Sequence, residues 1–521
     1  MSLQVSWWML TSVCTLILSF HEVLVAEKIL FLPLQQTSHT KLQQSIAEEM
    51  HDRGHQTYTV LGSRFGAKIR QKSIVRNSEI LSFEQLADRK YTGANVDQLF
   101  ANLLQDYSKE KQQETWDESV HIFTRDCDDM MADNDFLASV RARNIDYAVI
   151  DYWHAIPCSL LLAHNLSIPY LVNAATILPW LLREPGLPSF VPFVLSQKSE
   201  KMSFWERLTN TFDHWYFYQL PSPSRLNVSL LQRHAPAISG WNQLLENSLL
   251  YLEFRDHILE WPQPTMPNHI RLFGLSYHEP KNLTQELDTI ASQNEIILVS
   301  FGSMGGKLPL KYVDKLMETF QRFPDYAFIF SYSGDVARLA RKPAANVYIF
   351  SWLPQNDLLA QRRSRLFITH GGHNGQSEAL FHGIPMITMP LYFEQFHNAF
   401  RVQSHKFGLT VNIYEFTPNE LEMAIREVLH NPIYTANVKH ASAILRSLPD
   451  SVKVAGNWIE HVMRFGSEHL RTSAYNLTWC QYLMIDVLGA LAIVASFVAF
   501  VAYFLLSKLR RAVGTKTKAT D

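Results

Sequence analysis

Apolar positions fall into two recurring arrangements along this chain, and the alternation between them sets out its organisation. Lys28–Leu34 (KILFLPL) is a near-continuous apolar run, as expected of a strand covered on both faces in a parallel sheet. A polar patch follows, Gln35-Gln36-Thr37-Ser38-His39-Thr40, and then Leu42, Ile46 and Met50 recur at helical spacing until Gly54. Tyr58–Leu61 resumes as strand. This opening predicts a doubly wound α/β domain with His39 just past the carboxyl end of the first strand, where such sheets hold ligands. Ile145–Asp151 reads as a strand ending in a carboxylate, and Glu295–Ser300 (EIILVS), Ala327–Ser331, Asn346–Phe350, Arg365–Thr369 and Met386–Met389 read as further strands. Pro418–His430, Ala441–Ser447 and Ser451–Phe465 read as helices, the last with Val454, Trp458 and Val462 as its apolar stripe. Arg64 to Asn134 is polar and weakly periodic and yields only helices and loops. Prolines clustered between Pro262 and Lys281 mark an interdomain linker.

Two glycine-rich turns follow predicted strands. Phe301-Gly302-Ser303-Met304-Gly305-Gly306 lacks both the lysine of a triphosphate loop and the spacing of a dinucleotide fingerprint. The second turn, His370-Gly371-Gly372, leads into a helix that Gly383 and Pro385 end. Free backbone N–H groups and a helix N-terminus at the end of a strand favour an anion. His370 can donate to a phosphate oxygen, and Asn374 and Glu378 stand one helical turn apart, a carboxylate there suiting a ribose diol. A turn of this kind also serves merely to bend the chain. Its surroundings argue for more: Trp352-Leu353-Pro354-Gln355 before it offers a planar stacking face, and Pro390 through Glu394-Gln395 after it offers the acid and amide groups that a polyol requires.

Together these residues resemble the donor-binding signature of the UDP-glycosyltransferases, in particular their animal UDP-glucuronosyltransferase-like, membrane-bound branch. The resemblance runs from end to end and implies an α/β GT-B fold of two facing Rossmann-like domains plus one C-terminal transmembrane helix. The implied layout is a signal peptide at 1–26, an acceptor-binding domain at 27–275, a UDP-sugar-binding domain at 276–470, the membrane helix at 486–507 and a cytosolic tail at 508–521. It implies that His39 is the catalytic base and that Asp151 orients it. Two extra residues before Pro157-Cys158 leave Trp153 or His154 as alternatives for the second role. On the donor side, Ser303, His370, Gly371 and Gly372 would meet the diphosphate. Trp352 would stack on uracil, Gln355 would bond base or ribose, Asn374 and Glu378 would line the ribose site, and Glu394 and Gln395 would hold sugar hydroxyls. The implied reaction is an inverting, metal-independent transfer to a small lipophilic acceptor, with UDP-sugar as co-substrate and no cofactor. Departures from the pattern are Glu394, where close relatives have Asp, and Gln361-Arg362, where they have His-Pro. The added methylene leaves the sugar open among glucuronate, favoured by the family, glucose and N-acetylglucosamine. Rival readings are a UDP-glucose or UDP-N-acetylglucosamine enzyme acting on a lipid or sterol-like acceptor, and a non-catalytic membrane protein that keeps the fold. The mark of the latter, loss of the base or of the diphosphate turn, is not seen.

Composition narrows the setting. With 521 residues, 47% of them hydrophobic, two large domains are expected, and a net charge of −2 gives no basic footprint for nucleic acid. Four cysteines show no metal spacing, and whether Cys127 and Cys158 form a bridge is left open, as is homo-oligomerisation. Trp7–Phe20 followed by Val25-Ala26 reads as a secretory signal, though no Lys or Arg precedes its core; an uncleaved anchor is the alternative. Leu488–Leu506 is long enough to span a bilayer, and the basic residues Lys508, Arg510, Arg511, Lys516 and Lys518 behind it place the tail in the cytosol. A single-pass type I protein with lumenal domains results, and four sequons at Asn165, Asn227, Asn282 and Asn476 are consistent with it. Residence in the endoplasmic reticulum is implied by the resemblance alone. Between Ile168 and Asn242, prolines and aromatics including Trp180, Phe204, Trp205, Trp215 and Tyr216 suit either a lipophilic acceptor, a bilayer surface or plain core packing.

Overall fold

The computed structural model describes residues 26–517, apart from 72, 86–95, 153–157, 175–181, 194–195, 220–227 and 256–257. The signal segment, Trp153, His154, Trp180, the Asn227 sequon and Lys518 lie outside the described residues.

Two parallel sheets share one compact unit that extends to Ser467. The first is built from β1 (Lys28–Leu32), β2 (Gln56–Gly62), β3 (Glu79–Phe83), β4 (Tyr147–Asp151), β5 (Tyr170–Ala174), β6 (Tyr251–Glu253) and β7 (His269–Arg271), in the spatial order β3-β2-β1-β4-β5-β6-β7. The second contains β8 (Glu295–Ser300), β9 (Tyr326–Ser331), β10 (Val347–Phe350), β11 (Ser364–Thr369), β12 (Met386–Thr388) and β13 (Gly408–Thr410), in the order β10-β9-β8-β11-β12-β13. Helices on both faces explain the unbroken apolar runs: Ile29, Leu30 and Phe31 on β1 and Ile296 through Val299 on β8 are fully buried. In each sheet the strand order reverses once, between β1 and β4 and between β8 and β11. At such a reversal the loops on either side diverge and leave a crevice beyond the strand ends.

Elements with strong periodicity stand close to their expected limits, and short ones depart from it. β7 lies inside the proline cluster read as a linker, and β3 inside the stretch read only as helices and loops. A strand of three to five residues carries too little pattern to announce itself; its neighbours in the sheet define it. The terminal helix of this unit, Ser451–Phe465, buries Val462 as expected, but beside it Ser451, Ala455 and Ile459 rather than Val454 and Trp458, which are half-buried. Arg53 meets this helix: its guanidinium packs on Gly456, where a Cβ would come within 2.7 Å of Nε, and bonds Glu460 at 2.7 Å. The helix thereby lies back across the first domain, with Tyr147 donating to the Met463 carbonyl.

The weakly periodic stretch proves to be an arm. Helices Val96–Leu103 and Lys109–Ala132 send Leu99, Phe100, Leu103, Ile122 and Phe123 into the apolar core of the second sheet. A disulfide joins Cys127 on this arm to Cys158 behind β4. In helix Phe204–Gln219 the buried positions include polar Asn210 and His214, whereas Phe204, Trp205, Phe212 and Trp215 are more than half exposed. These four aromatics therefore do not form core.

Glu468–Asp521 is a second compact unit. Its helix Ile485–Thr517 is exposed along Ile485–Arg511, a span with mean hydropathy 2.4 that is long and apolar enough to cross a membrane.

Candidate functional site

Each strand-order reversal carries a histidine. At the first, helix Thr37–Asp52 starts directly after Gln36, so the polar patch past the first strand is already helical at His39, which sits in the first turn. Its Nδ1 lies 2.8 Å from Asp151 Oδ2 at the end of β4, and the Leu34 N–H donates to the same oxygen at 3.2 Å. The carboxylate is buried, while about a fifth of the imidazole is exposed. Burial pulls the His39 pKa down, but Asp151 and Glu394 outweigh it, so that it lies above the usual 6.5.

At the second reversal two glycine turns close on His370. Gly302 (φ +71°) and Gly372 flank the ring: a Cβ on either would lie 2.7 or 2.4 Å from its Nε2. No other residue type fits there without displacing the imidazole. Burial lowers the His370 pKa to about 4, against a hydrogen bond to the Ser300 backbone, so the ring is neutral and acts as a dipole. Gly371 also has positive φ (+79°), and its carbonyl accepts from Asn398 Nδ2 at 2.9 Å. Ser303 is exposed on the short helix Gly302–Gly305.

Glu378 is buried on helix His373–His382, with Gln355 Nε2 at 2.7 Å from one carboxylate oxygen and Lys41 Nζ at 3.5 Å from the other. Gln355 thus faces Glu378, and Lys41, two residues beyond His39, reaches it from the first domain. Asn374 stands at the start of the same helix, its carbonyl accepting from Ser276. Trp352 is half exposed beyond β10. Gln395 turns its side-chain oxygen back to the Leu391 and Tyr392 N–H groups at 2.9 and 3.3 Å, which ties the loop that presents Glu394. Burial raises the Glu394 pKa; its own backbone N–H, His39 and Arg401 act against this. Glu394 is therefore the point where the two halves of the site meet electrostatically.

Several supporting residues escaped the sequence reading. Arg401 is fully buried on helix Gln395–Ser404, paired with Glu260 and with Asn398. Glu260 is held down to about 2 because Arg401 and Arg255 outweigh its burial. Through Asn398 this pair reaches the Gly371 carbonyl. The spacing of Glu394, Asn398 and Arg401 on one helical face was the available signal. Among the described residues, Glu184, Glu253 and His269 come close enough to hold a cation. Arg255 and Arg271 already lie against those carboxylates at 3.4 to 3.9 Å, so the cluster is a buried ionic network.

Comparison with known proteins gives the family and the fold. Residues 27–519 match the family described as UDP-glucoronosyl and UDP-glucosyl transferase. Mouse UDP-glucuronosyltransferase 1A6 is 31% identical over 496 residues, covering 92% of this chain and 91% of its own. Human UDP-glucuronosyltransferase 1A8 is 30% identical over 501 residues, with the same coverage. In fold, the chain is similar to the spinosyn forosaminyltransferase SpnP (TM-score 0.56, 17% identity, 84% of this chain and 100% of that one). The glycotransferase of kitacinnamycin is similar too (TM-score 0.54, 19% identity, 84% and 98%). The chain belongs to the UDP-glucuronosyl and UDP-glucosyl transferase family and is a UDP-glycosyltransferase of GT-B fold.

Proposed function

We propose that this enzyme transfers a hexosyl group, glucuronate foremost, from a UDP-sugar to the hydroxyl of a small lipophilic acceptor, with inversion and without a metal. The observation that carries the reading is the His39–Asp151 pair, which shares its electrostatic environment with Glu394 from the donor side. His39 takes the acceptor proton through its second ring nitrogen as the oxygen attacks the anomeric carbon, and Asp151 holds the ring and stabilises the imidazolium. The bond from the anomeric carbon to the β-phosphate oxygen breaks, and UDP leaves with the electron pair. One displacement inverts the centre. The Gly371 and Gly372 N–H groups, His370 and Ser303 meet the charge developing on UDP. Uracil stacks on Trp352, with Gln355 beside the base and ribose. Glu378, next to Asn374, holds the ribose, and Glu394 and Gln395 take the sugar hydroxyls. Helix Ile485–Arg511 anchors the protein in the endoplasmic reticulum membrane, with both domains lumenal.

The test is turnover of UDP-glucuronate, UDP-glucose and UDP-N-acetylglucosamine with a phenol in membranes bearing the protein, beside His39→Ala. The variant is expected to lose roughly 10²–10⁴-fold in turnover while binding UDP normally. Unchanged turnover removes His39 as the base.

A further inference from the structure

Immediately before Glu394 stands a backbone outlier. Phe393 has φ +56°, in the left-handed region that bulky L-residues seldom enter and that glycine enters freely. Phe393 is 38% exposed, and the Gln395 side chain ties the N–H groups of the two residues before it, Leu391 and Tyr392. What surrounds the ring comes largely from the other half of the molecule. Phe100 of helix Val96–Leu103 meets it edge-on at 5.3 Å, and Trp116 of helix Lys109–Ala132 at 5.8 Å. Tyr392, at 5.4 Å, is itself packed on Phe100 at 5.1 Å. A second aromatic layer, Tyr107 stacked on Tyr414 at 4.1 Å, joins the same arm to the donor domain just beyond.

We propose that Phe100 and Trp116 form an interdomain clamp that holds Phe393 in the left-handed conformation and so sets where Glu394 points, making Trp116 and Phe393 positioning residues for the donor sugar. This rests on the sugar-contacting role given to Glu394 above. A glycine at position 393 would adopt the required φ unaided, and the loop would then be correct whether or not the arm were docked. A phenylalanine makes the geometry conditional. Without the rings of the first domain, the strain relaxes by rotating the peptide that leads into Glu394. Sugar recognition is thereby coupled to the docking of the arm on the donor domain, while uracil, ribose and diphosphate, held by other segments, are not.

The test is a double-mutant cycle on the full-length protein in membranes, with Trp116→Ala and Phe393→Gly. Trp116→Ala alone is expected to raise the UDP-sugar KM about tenfold, the equivalent of the strain in one left-handed residue, with UDP affinity within about twofold of native. Trp116→Phe should restore the KM. In the Phe393→Gly background the same Trp116→Ala change should cost less than about twofold, because nothing remains to be held. An equal cost in both backgrounds, or none in the native one, overturns the clamp. Thermal unfolding provides a readout independent of turnover: Trp116→Ala should lower the melting temperature more with Phe393 present than with glycine there, and equal shifts overturn the proposal. Should the native protein turn over no UDP-sugar, the proposed function fails, and the unfolding cycle still decides whether the clamp exists.

Discussion

The two halves of this molecule use the same kind of sheet and stabilise it differently. Around β8–β13 the core is apolar and continuous, from Ile297 and Val299 through Phe328 and Phe330 to Ile387 and Met389. Both sheets end in two three-residue strands, but in the half around β1–β7 a buried ionic cluster and a covalent link supplement the core there. Glu184, Glu253, Arg255, Arg271 and His269 form an ionic cluster on and around β6 and β7, and Cys127–Cys158 ties the arm to the helix Cys158–Asn165. Part of that arm's own apolar surface is spent on the other half. A fixed nucleotide can be met by a rigid scaffold whose packing does most of the positioning. The half that carries His39 has irregular segments, and ionic and disulfide links hold what apolar packing alone does not.

If the halves divide chemistry from binding, substitutions should separate along the same line. Asp151→Asn, in the first half, should lower kcat roughly 10²–10⁴-fold and leave UDP affinity unchanged, measured by steady-state rates and calorimetry. A matching loss of UDP affinity would show that the division is wrong. The next largest effect concerns the covalent link: Cys127→Ser should cost about 2–4 kcal/mol of stability. Followed by thermal unfolding, that loss should leave UDP affinity near native, since the bridge lies wholly in the first half. Glu378→Gln is the donor-side counterpart, expected to weaken UDP binding roughly 10–100-fold with little change in kcat at saturation, as a charge-assisted bond of about 1.5–3 kcal/mol is lost. The smallest effect is a displacement in pH. His39 must be neutral to accept a proton, and its pKa is raised, so kcat/KM should climb with pH through a midpoint above 6.5. Asp151→Asn removes the main raising partner and should move that midpoint to lower pH.

Legibility in the sequence followed the same division. β8 and the helices Pro418–His430 and Ser451–Phe465 have the limits that their pattern predicts, because each pairs a strong apolar period with a capping or breaking residue. His370, Gly371 and Gly372 were found because glycine turns after buried strands are visible in one dimension. Lys41, Glu260, Arg401 and Trp116 were not, since each acts on a residue far away in the chain. On helix Ser451–Phe465 only Val462 of the expected stripe is fully buried; Ala455 and Ile459 take the places of Val454 and Trp458, on a helix where Arg53, some 400 residues earlier in the chain, packs on Gly456.

By itself the sequence determined that two doubly wound domains precede an apolar helix, and which strand ends carry histidines, carboxylates and glycines, because local period and turn chemistry require no partner. Only the tertiary structure decided that Asp151 meets His39, that two separate glycine turns enclose one imidazole, and that rings from one half surround a strained phenylalanine in the other. Those contacts arise where strand order reverses and where helices cross between sheets, and no local pattern records which distant side chain a crossing will bring near.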